Sequence, residues 1–139
     1  MRIGALRETA PGEARVAMTP ASAQDIRKLG HDCLIESGAG EASGFPDAAY
    51  EAAGVTVLPD AAAVFDQADA LVKVRPPEPA EVARLRAGQT VISFFYPGQN
   101  AELMEEAKEK GATVIAMDMV PRISRAQKMD ALSSMANIA

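Results

Sequence analysis

The sequence is poor in the residues that build metal centres and hydrolase sites. Among 139 residues there is one cysteine, Cys33, and one histidine, His31. A single cysteine cannot form an internal disulfide, and its place in the apolar run CLIE predicts a small buried side chain. One histidine and one cysteine are too few for a zinc cluster or for a Ser/His/Asp or Cys/His catalytic set. His31 stands between Gly30 and Asp32, where a turn residue is expected, so we assign it a structural role.

Long apolar runs and blocks of positive charge are also missing. No apolar run approaches the roughly 18 residues that a membrane helix needs, and the opening residues carry charges where a signal peptide needs an apolar stretch. The net charge is −5 and the pI is about 4.9, with both signs interspersed. We therefore expect a cytoplasmic chain that neither inserts into a membrane by itself nor binds nucleic acid.

What the sequence does contain is a regular alternation of strand and helix patterns. Helix starts are marked by Thr19 with Pro20, by Asp60 and by Asn100, and glycines at positions 30, 54 and 111 mark helix ends. Strands that alternate with helices need crossover connections, which predicts a doubly wound, mostly parallel α/β sheet, flavodoxin-like or Rossmann-like, with three layers. The six Val- and Ile-rich runs that predict strands are Ile3–Leu6, Cys33–Ile35, Val55–Leu58, Ala70–Val74, Thr90–Phe95 and Thr113–Met117.

Two further segments bear on the organisation of the domain. The stretch PPEP at positions 76–79 is typical of a stiff loop after a strand rather than of a linker. We assign residues 1–121 to the α/β domain, and residues 122–139 to a loop and the start of a connecting helix that has no stop signal.

A glycine-rich segment imitates a dinucleotide-binding fingerprint. Gly38–Gly44 follows one predicted strand, and Asp60 follows the next one about twenty residues later. The spacing argues against that function, because Ser43 falls where the third glycine or alanine should be. The following Gly-Phe-Pro also cannot open a helix against a pyrophosphate. An ordinary glycine-rich loop is the favoured interpretation.

Two cations are candidates for binding an anion. Arg15 lies in the loop after the first predicted strand, and Lys73 lies inside the otherwise apolar strand ALVKV. A lysine in a strand that is buried on both faces needs an anionic partner or a solvated pocket. Alternatively the strand ends early and leaves Lys73 exposed at its carboxyl end, which is where ligands bind in open α/β sheets. The pattern alone leaves both possibilities open.

The segment after the last predicted strand carries an unusual set of short polar side chains. If it is helical, five of them cover one side at spacings of three and four. A solvated face favours Lys and Glu, so short amides and hydroxyls indicate a specific partner. A carboxamide such as that of nicotinamide needs both donors and acceptors, whereas helix capping and packing remain the alternatives. The residues are Arg122, Gln127, Asp130, Ser133, Ser134 and Asn137.

The last nineteen residues, PRISRAQKMDALSSMANIA, resemble the NAD(H)-binding component, or alpha subunit, of proton-translocating NAD(P) transhydrogenase. The opening MRIGALRETAPGEARVAMTP, ESGAG at 36–40, LVKV at 71–74 and ISFFYPGQNAELM at 92–104 fit the same family. The resemblance implies that hydride passes directly from bound NADH to NADP on a separate component, coupled to proton flow through a membrane domain. It also implies that Arg122, Gln127, Asp130 and Ser133 lie beside the nicotinamide and orient it without acid/base chemistry.

The same resemblance implies a set of partners. The component is expected to form a homodimer and to reach the inner membrane peripherally, through NADP(H)-binding and membrane-spanning components. Family members continue into a Rossmann domain that carries the pyrophosphate turn, which these 139 residues lack. We therefore expect the isolated segment to be inactive, to bind NAD(H) weakly or not at all, and to self-associate through exposed apolar surface.

Alanine dehydrogenase is the related alternative, because Arg15 in RVAMTP and Lys73 in LVKV resemble its pyruvate-binding residues. Where that enzyme has a histidine after its next strand, this chain has Phe94-Phe-Tyr-Pro-Gly, so the acid/base imidazole for a ketoacid is missing. A second alternative is a non-enzymatic α/β module that binds a small anion through Arg15 and Lys73. That hypothesis leaves the stretch PRISRAQKMD unexplained.

Overall fold

The computed structural model describes residues 1–96 and 98–119, and within these ranges six strands form one sheet. The strands are β1 (Arg2–Ala5), β2 (Asp32–Glu36), β3 (Thr56–Leu58), β4 (Ala70–Val72), β5 (Thr90–Ser93) and β6 (Thr113–Ala116). Their order across the sheet is β3-β2-β1-β4-β5-β6, and every neighbouring pair is parallel. The predicted doubly wound α/β fold is confirmed. The boundary proposed at residue 121 lies outside the described residues.

Five α-helices connect the strands in the described part of the chain. They are α1 (Pro20–Lys28), α2 (Asp47–Ala52), α3 (Ala61–Gln67), α4 (Pro79–Ala83) and α5 (Ala101–Glu109). Short 3-10 turns at Glu41–Ser43 and Met117–Met119 complete the described elements. No described helix combines the length and the apolar character that crossing a bilayer requires.

Most of the predicted helix boundaries are confirmed. Thr19 caps α1 by accepting the Ser22 N–H at 3.1 Å, and Asp60 caps α3 by accepting the Ala63 N–H at 2.9 Å. Asn100 does precede α5, but its amide donates to the Phe95 carbonyl at 2.8 Å and makes no cap bond.

The glycines also stand where the helices were predicted to end. Those at positions 30, 54 and 111 adopt φ angles of 92°, 85° and 77° just after α1, α2 and α5. The PPEP stretch differs from the expectation, because its last residue, Pro79, opens α4. Proline suits the first helical position, where an N–H has no partner to lose.

The helices cover the two faces of the sheet over separate cores. Residues Val64 of α3, Val82 of α4 and Ala107 of α5 share one buried cluster with Leu34 and other strand residues. The other cluster joins α1 and α2 to residues that alternate with these along the strands. Side chains of successive strand residues point to opposite faces, so each strand contributes to both cores.

The strand order creates the place where a site is expected. From the centre of the sheet, β1, β2 and β3 follow one another toward one edge, and β4, β5 and β6 follow one another toward the other edge. The loops that leave the adjacent strands β1 and β4 therefore diverge. Ala5 is in register with Ile35 on one side and Val72 on the other, which brings the ends of β1, β2 and β4 level. In open α/β sheets ligands bind at this carboxyl edge, where the strand order reverses.

Candidate functional site

The structure places two of the six residues that the sequence predicts as site residues at this carboxyl edge. Arg15 lies in the loop after β1, and Lys73 is the first residue after β4. The other four, Arg122, Gln127, Asp130 and Ser133, lie outside the described residues, as do Ser134 and Asn137, and they stay predictions.

Lys73 combines features of both possibilities that the sequence left open. Strand β4 ends at Val72 rather than at Val74, so Lys73 does stand beyond the carboxyl end of the strand. Its side chain is nevertheless only 2% exposed. The ammonium Nζ lies 2.9 Å from Oε1 of Glu81 and 4.0 Å from Oε1 of Glu8. The anionic partners that a buried lysine requires are therefore present.

Both carboxylates are held in place by backbone groups. Glu8, whose side chain is 2% exposed, accepts the N–H groups of Val74 at 2.8 Å and Arg75 at 3.0 Å. Burial raises the pKa of Glu8, while these two hydrogen bonds and the charge of Lys73 act to lower it. Oε1 of Glu81 also accepts the Glu78 N–H at 2.8 Å. Lys73 therefore links the loop after β1, the end of β4 and the start of α4.

A second ion-pair group joins the diverging loops. Arg15 binds Glu13 through two parallel bonds, Nη2 to Oε1 at 2.7 Å and Nε to Oε2 at 2.8 Å. Arg75, from the loop after β4, donates its Nε to Oε1 of Glu13 at 2.8 Å. The bond from Arg15, followed by that from Arg75, lowers the pKa of Glu13 to about 2, although its burial acts in the other direction. Bidentate charge-assisted pairs fix geometry as well as charge, so Glu13 ties the two loops across the reversal point.

The two arginines differ from Lys73 in their exposure. Glu13 is buried, but Arg15 and Arg75 have side chains that are 44% and 46% exposed. The bond to Glu13 is the main reason that the pKa of Arg15 is raised. Much of the Arg15 side chain is therefore in contact with solvent, whereas the side chain of Lys73 is almost fully buried.

Two cavities open at this edge. One of about 120 Å³ lies at the ends of β4 and β5 and has a mainly apolar lining. Its lining residues are Ala17, Val72, Lys73, Val74, Ile92, Phe94 and Met117. The second, of about 250 Å³, is polar and lies between the loops that follow β1 and β2. It is lined in part by Arg7, Glu8, Glu13, Arg15 and Glu41.

The loop after β5 brings an aromatic side chain to the same edge. Tyr96 has a φ of 47°, in the left-handed region that non-glycine residues enter at a cost of about 1 to 2 kcal/mol. The carboxylate of Asp118 accepts the N–H groups of Phe95 at 2.9 Å and Tyr96 at 3.0 Å. Tyr96 is 39% exposed, and its ring lies 6.3 Å from the ring of Phe94, centroid to centroid.

The glycine-rich segment behaves as an ordinary loop. It contains the 3-10 turn Glu41–Ser43, and α2 begins only at Asp47, after Pro46. The Asp47 carboxylate accepts the Gly38 N–H at 2.9 Å and the Ser37 hydroxyl at 2.5 Å. The Gly38 bond, then the Ser37 bond, lowers the pKa of Asp47. A carboxylate of the chain itself therefore takes the donors that a phosphate would need.

His31 lies at the opposite edge of the sheet, just before β2 begins. It is half-buried, and its Nδ1 atom makes no hydrogen bond in the structure. It is the only histidine of the sequence, so no imidazole stands beside Arg15 or Lys73. No group of three or more His, Cys, Asp or Glu side chains suited to a metal occurs among the described residues.

Sequence reasoning missed the acids that organise the site. Glu8, Glu13 and Glu81 were not named as candidates, although two of them stand in the segment RETAPGEAR directly after β1. Acidic residues at the carboxyl end of a strand beside a predicted buried lysine are the signal that was available. Tyr96 and Asp118 left no comparable signal, because a left-handed backbone at tyrosine has no local sequence pattern.

Comparison with known families resolves the identity of the domain. Residues 4–139 match the family described as "Alanine dehydrogenase/PNT, N-terminal domain". The chain belongs to this family.

The chain is similar both to a transhydrogenase alpha subunit and to an alanine dehydrogenase. It is 73% identical over 139 residues to the NAD(P) transhydrogenase subunit alpha of Cereibacter sphaeroides, covering all of this chain and 27% of that protein. It is 38% identical over 120 residues to the alanine dehydrogenase of Halomonas elongata, covering 86% of this chain and 32% of that protein. The chain thus spans about a quarter to a third of the length of these relatives.

A solved structure supports the same assignment. The transhydrogenase from Sinorhizobium meliloti superposes with a TM-score of 0.92 at 40% identity, over 99% of this chain and 41% of that one. The resemblance to the N-terminal segment of transhydrogenase alpha subunits is confirmed by this match and by the family assignment.

Proposed function

We propose that this family member forms the N-terminal part of the NAD(H)-binding component of a proton-translocating NAD(P) transhydrogenase. In this proposal hydride passes directly between NADH on this component and NADP on a separate one, and a membrane-spanning component couples the transfer to proton movement. The 73% identical relative, an NAD(P) transhydrogenase subunit alpha, supports the assignment. The component would act as a homodimer on the cytoplasmic side of the inner membrane, attached through its partners.

The observation that carries the proposal is the absence of an imidazole at the carboxyl edge. Reductive amination of a ketoacid needs an acid/base group beside the substrate. The one histidine of the chain lies at the opposite edge, and the ammonium of Lys73 is buried between Glu8 and Glu81. Hydride exchange between two cofactors needs no such group, because the protein fixes the distance and angle of the rings.

Arg122, Gln127, Asp130 and Ser133 are the residues that we propose hold the nicotinamide. An amide, a carboxylate, a hydroxyl and a guanidinium together offer the donors and acceptors that a carboxamide requires. Anion binding stays a proposal for Arg15, which lies in the loop after β1 and has a side chain that is 44% exposed. For Lys73 we favour a structural role, because two carboxylates already surround its charge.

The test uses the complete subunit with its partner component. Gln127→Ala and Asp130→Ala are expected to slow single-turnover reduction of an NADP analogue by NADH by on the order of 100-fold, the cost of a misplaced reacting ring. Gln24→Ala and Asp25→Ala, at exposed positions of α1, are the matched controls and should leave the rate unchanged.

Three outcomes would contradict the proposal. Unchanged rates in the Gln127 and Asp130 variants would remove these residues from the nicotinamide site. NADH-dependent amination of pyruvate by the wild-type subunit would favour the alanine dehydrogenase alternative. Binding of a small carboxylate with neither activity would favour the non-enzymatic module.

A further inference from the structure

The conformation of Tyr96 is held by contacts that do not involve its ring. Its N–H donates to Asp118 at 3.0 Å, and its carbonyl accepts the N–H groups of Gln99 at 2.8 Å and Asn100 at 3.2 Å. These are backbone contacts that any residue at position 96 makes. The left-handed φ of 47° would suit glycine better than tyrosine. The shape of the loop therefore does not explain why position 96 carries an aromatic side chain.

The ring lies beside a wall of the apolar cavity. Phe94, whose ring is 6.3 Å away and tilted by 33°, is 3% exposed and lines the cavity of about 120 Å³ with Val72, Ile92 and Met117. Tyr96 is 39% exposed, so the two rings carry an aromatic surface from the cavity wall out to solvent. Strained residues persist where the surrounding structure over-determines them, and they cluster at ligand-binding sites.

Tyr96 and Arg15 lie near enough to each other to interact electrostatically. The bond to Glu13 is the main reason that the pKa of Arg15 is raised, and the Tyr96 phenol adds to the shift. An aromatic surface with a partly exposed arginine side chain nearby suits a flat ring that carries one polar substituent.

We propose that Tyr96 packs against one face of the nicotinamide ring of the bound dinucleotide, an inference that rests on the proposed function. The nearly flat nicotinamide ring can lie offset on the face of the phenol and bury apolar area there. An aromatic wall on one face leaves the opposite face for the hydride acceptor, as direct transfer requires. In this arrangement Tyr96 contacts the nicotinamide end of the ligand and not the rest of the dinucleotide.

The experiment compares two ligands that differ in the nicotinamide. Calorimetric titrations of the complete subunit are made with NADH and with ADP-ribose, which lacks that ring. Tyr96→Ala is expected to weaken NADH binding about threefold to tenfold and to leave ADP-ribose binding unchanged. Tyr96→Phe keeps the ring and should bind NADH nearly as the wild type does. Leu29→Ala, which removes a side chain 76% exposed at the end of α1, is the control.

A second variant separates the loss of the ring from a distortion of the loop. Tyr96→Gly removes the ring and relieves the left-handed backbone, so it should repeat the loss of NADH affinity with the loop preserved. Equal weakening of both ligands would mean that Tyr96 only shapes the loop, and unchanged NADH affinity would mean that it does not meet the ring. Either result overturns the inference while the proposed function stands. A wild-type subunit that binds neither ligand overturns both.

Discussion

The buried Lys73 gives a prediction whose size follows from the structure. Lys73→Met removes the ammonium but keeps a side chain of similar length. The variant leaves Glu8 with only backbone donors, at 2% exposure, and leaves Glu81 with the Glu78 N–H alone. The substitution therefore removes a contact and also leaves the poorly solvated carboxylates of Glu8 and Glu81 without the positive charge that balances them.

The expected cost is about 3 to 5 kcal/mol in the free energy of unfolding, the typical result of removing one member of a buried ion pair. Attraction between unit charges near a protein surface is about 4 kcal/mol at 4 Å, and Lys73 has one carboxylate at 2.9 Å and another at 4.0 Å. Desolvation of the ammonium offsets much of that attraction. The uncompensated carboxylates, not the lost attraction, therefore dominate the cost.

The assay is urea unfolding of the chain followed by far-UV circular dichroism. Lys28→Met is the matched control, because Lys28 makes only a surface pair with Asp25 at 3.9 Å and its side chain is 77% exposed. Its loss should cost less than about 0.5 kcal/mol. The same substitution is thus compared in a buried and in a solvated ion pair.

The cost of Lys73→Met should depend on pH in a defined direction. Burial already raises the pKa of Glu8 above its ordinary value of 4.5, and Lys73 acts to lower it. Without Lys73 the pKa of Glu8 rises further. A carboxyl with a raised folded pKa contributes stability that is complete below 4.5 and is lost as the pH rises through the folded value.

The deficit of the variant should therefore be small in acid and grow as the pH increases toward neutrality. A cost at neutral pH no larger than that of Lys28→Met would refute the reasoning, since it would mean that the carboxylates near position 73 are well solvated. A deficit that grows in acid would refute it as well.

Two further substitutions, and a control for the second, test other parts of the structure. Glu13→Gln should cost about 1.5 to 3 kcal/mol near neutral pH, because it weakens the bonds to Arg15 and Arg75. Since the pKa of Glu13 is about 2, stability from its carboxylate is complete above 4.5 and is lost as the pH falls, so acid titrations of wild type and variant should converge. Gly4→Ala places a methyl 2.6 Å from a side chain of α3 and should cost about 1 to 3 kcal/mol in urea unfolding. Gly98→Ala meets nothing within 4 Å and should change stability by less than about 1 kcal/mol, and equal effects of the two would contradict the packing argument.

Local features of the fold could be read from the sequence. All six strands, and the helices that Thr19 and Asp60 begin, follow from hydrophobic periodicity and capping chemistry that act over a few residues. Boundaries were less accurate where the end of an element depends on its surroundings. Strand β5 stops at Ser93 rather than at Phe95, because the N–H groups of Phe95 and Tyr96 bond to Asp118 instead of to a neighbouring strand.

The candidate site was likewise predicted in part from the sequence. Its position at the carboxyl edge follows from the alternation of strands and helices, as does the nomination of Arg15 and Lys73. The polar residues from 122 onward were named by pattern and resemblance, and they lie outside the described residues.

By itself the sequence determined the doubly wound sheet, the turns at its glycines and the requirement that a lysine in an apolar strand have a partner. All three depend on interactions between near neighbours or on the general cost of burying charge. Only the tertiary structure decided which acids meet that requirement and how the diverging loops are joined. Arg75 reaches Glu13 across 62 positions of the chain, and the N–H of Val74 reaches Glu8 across 66. Such contacts exist because the strand order brings β1 beside β4, a long-range pairing that no local pattern encodes.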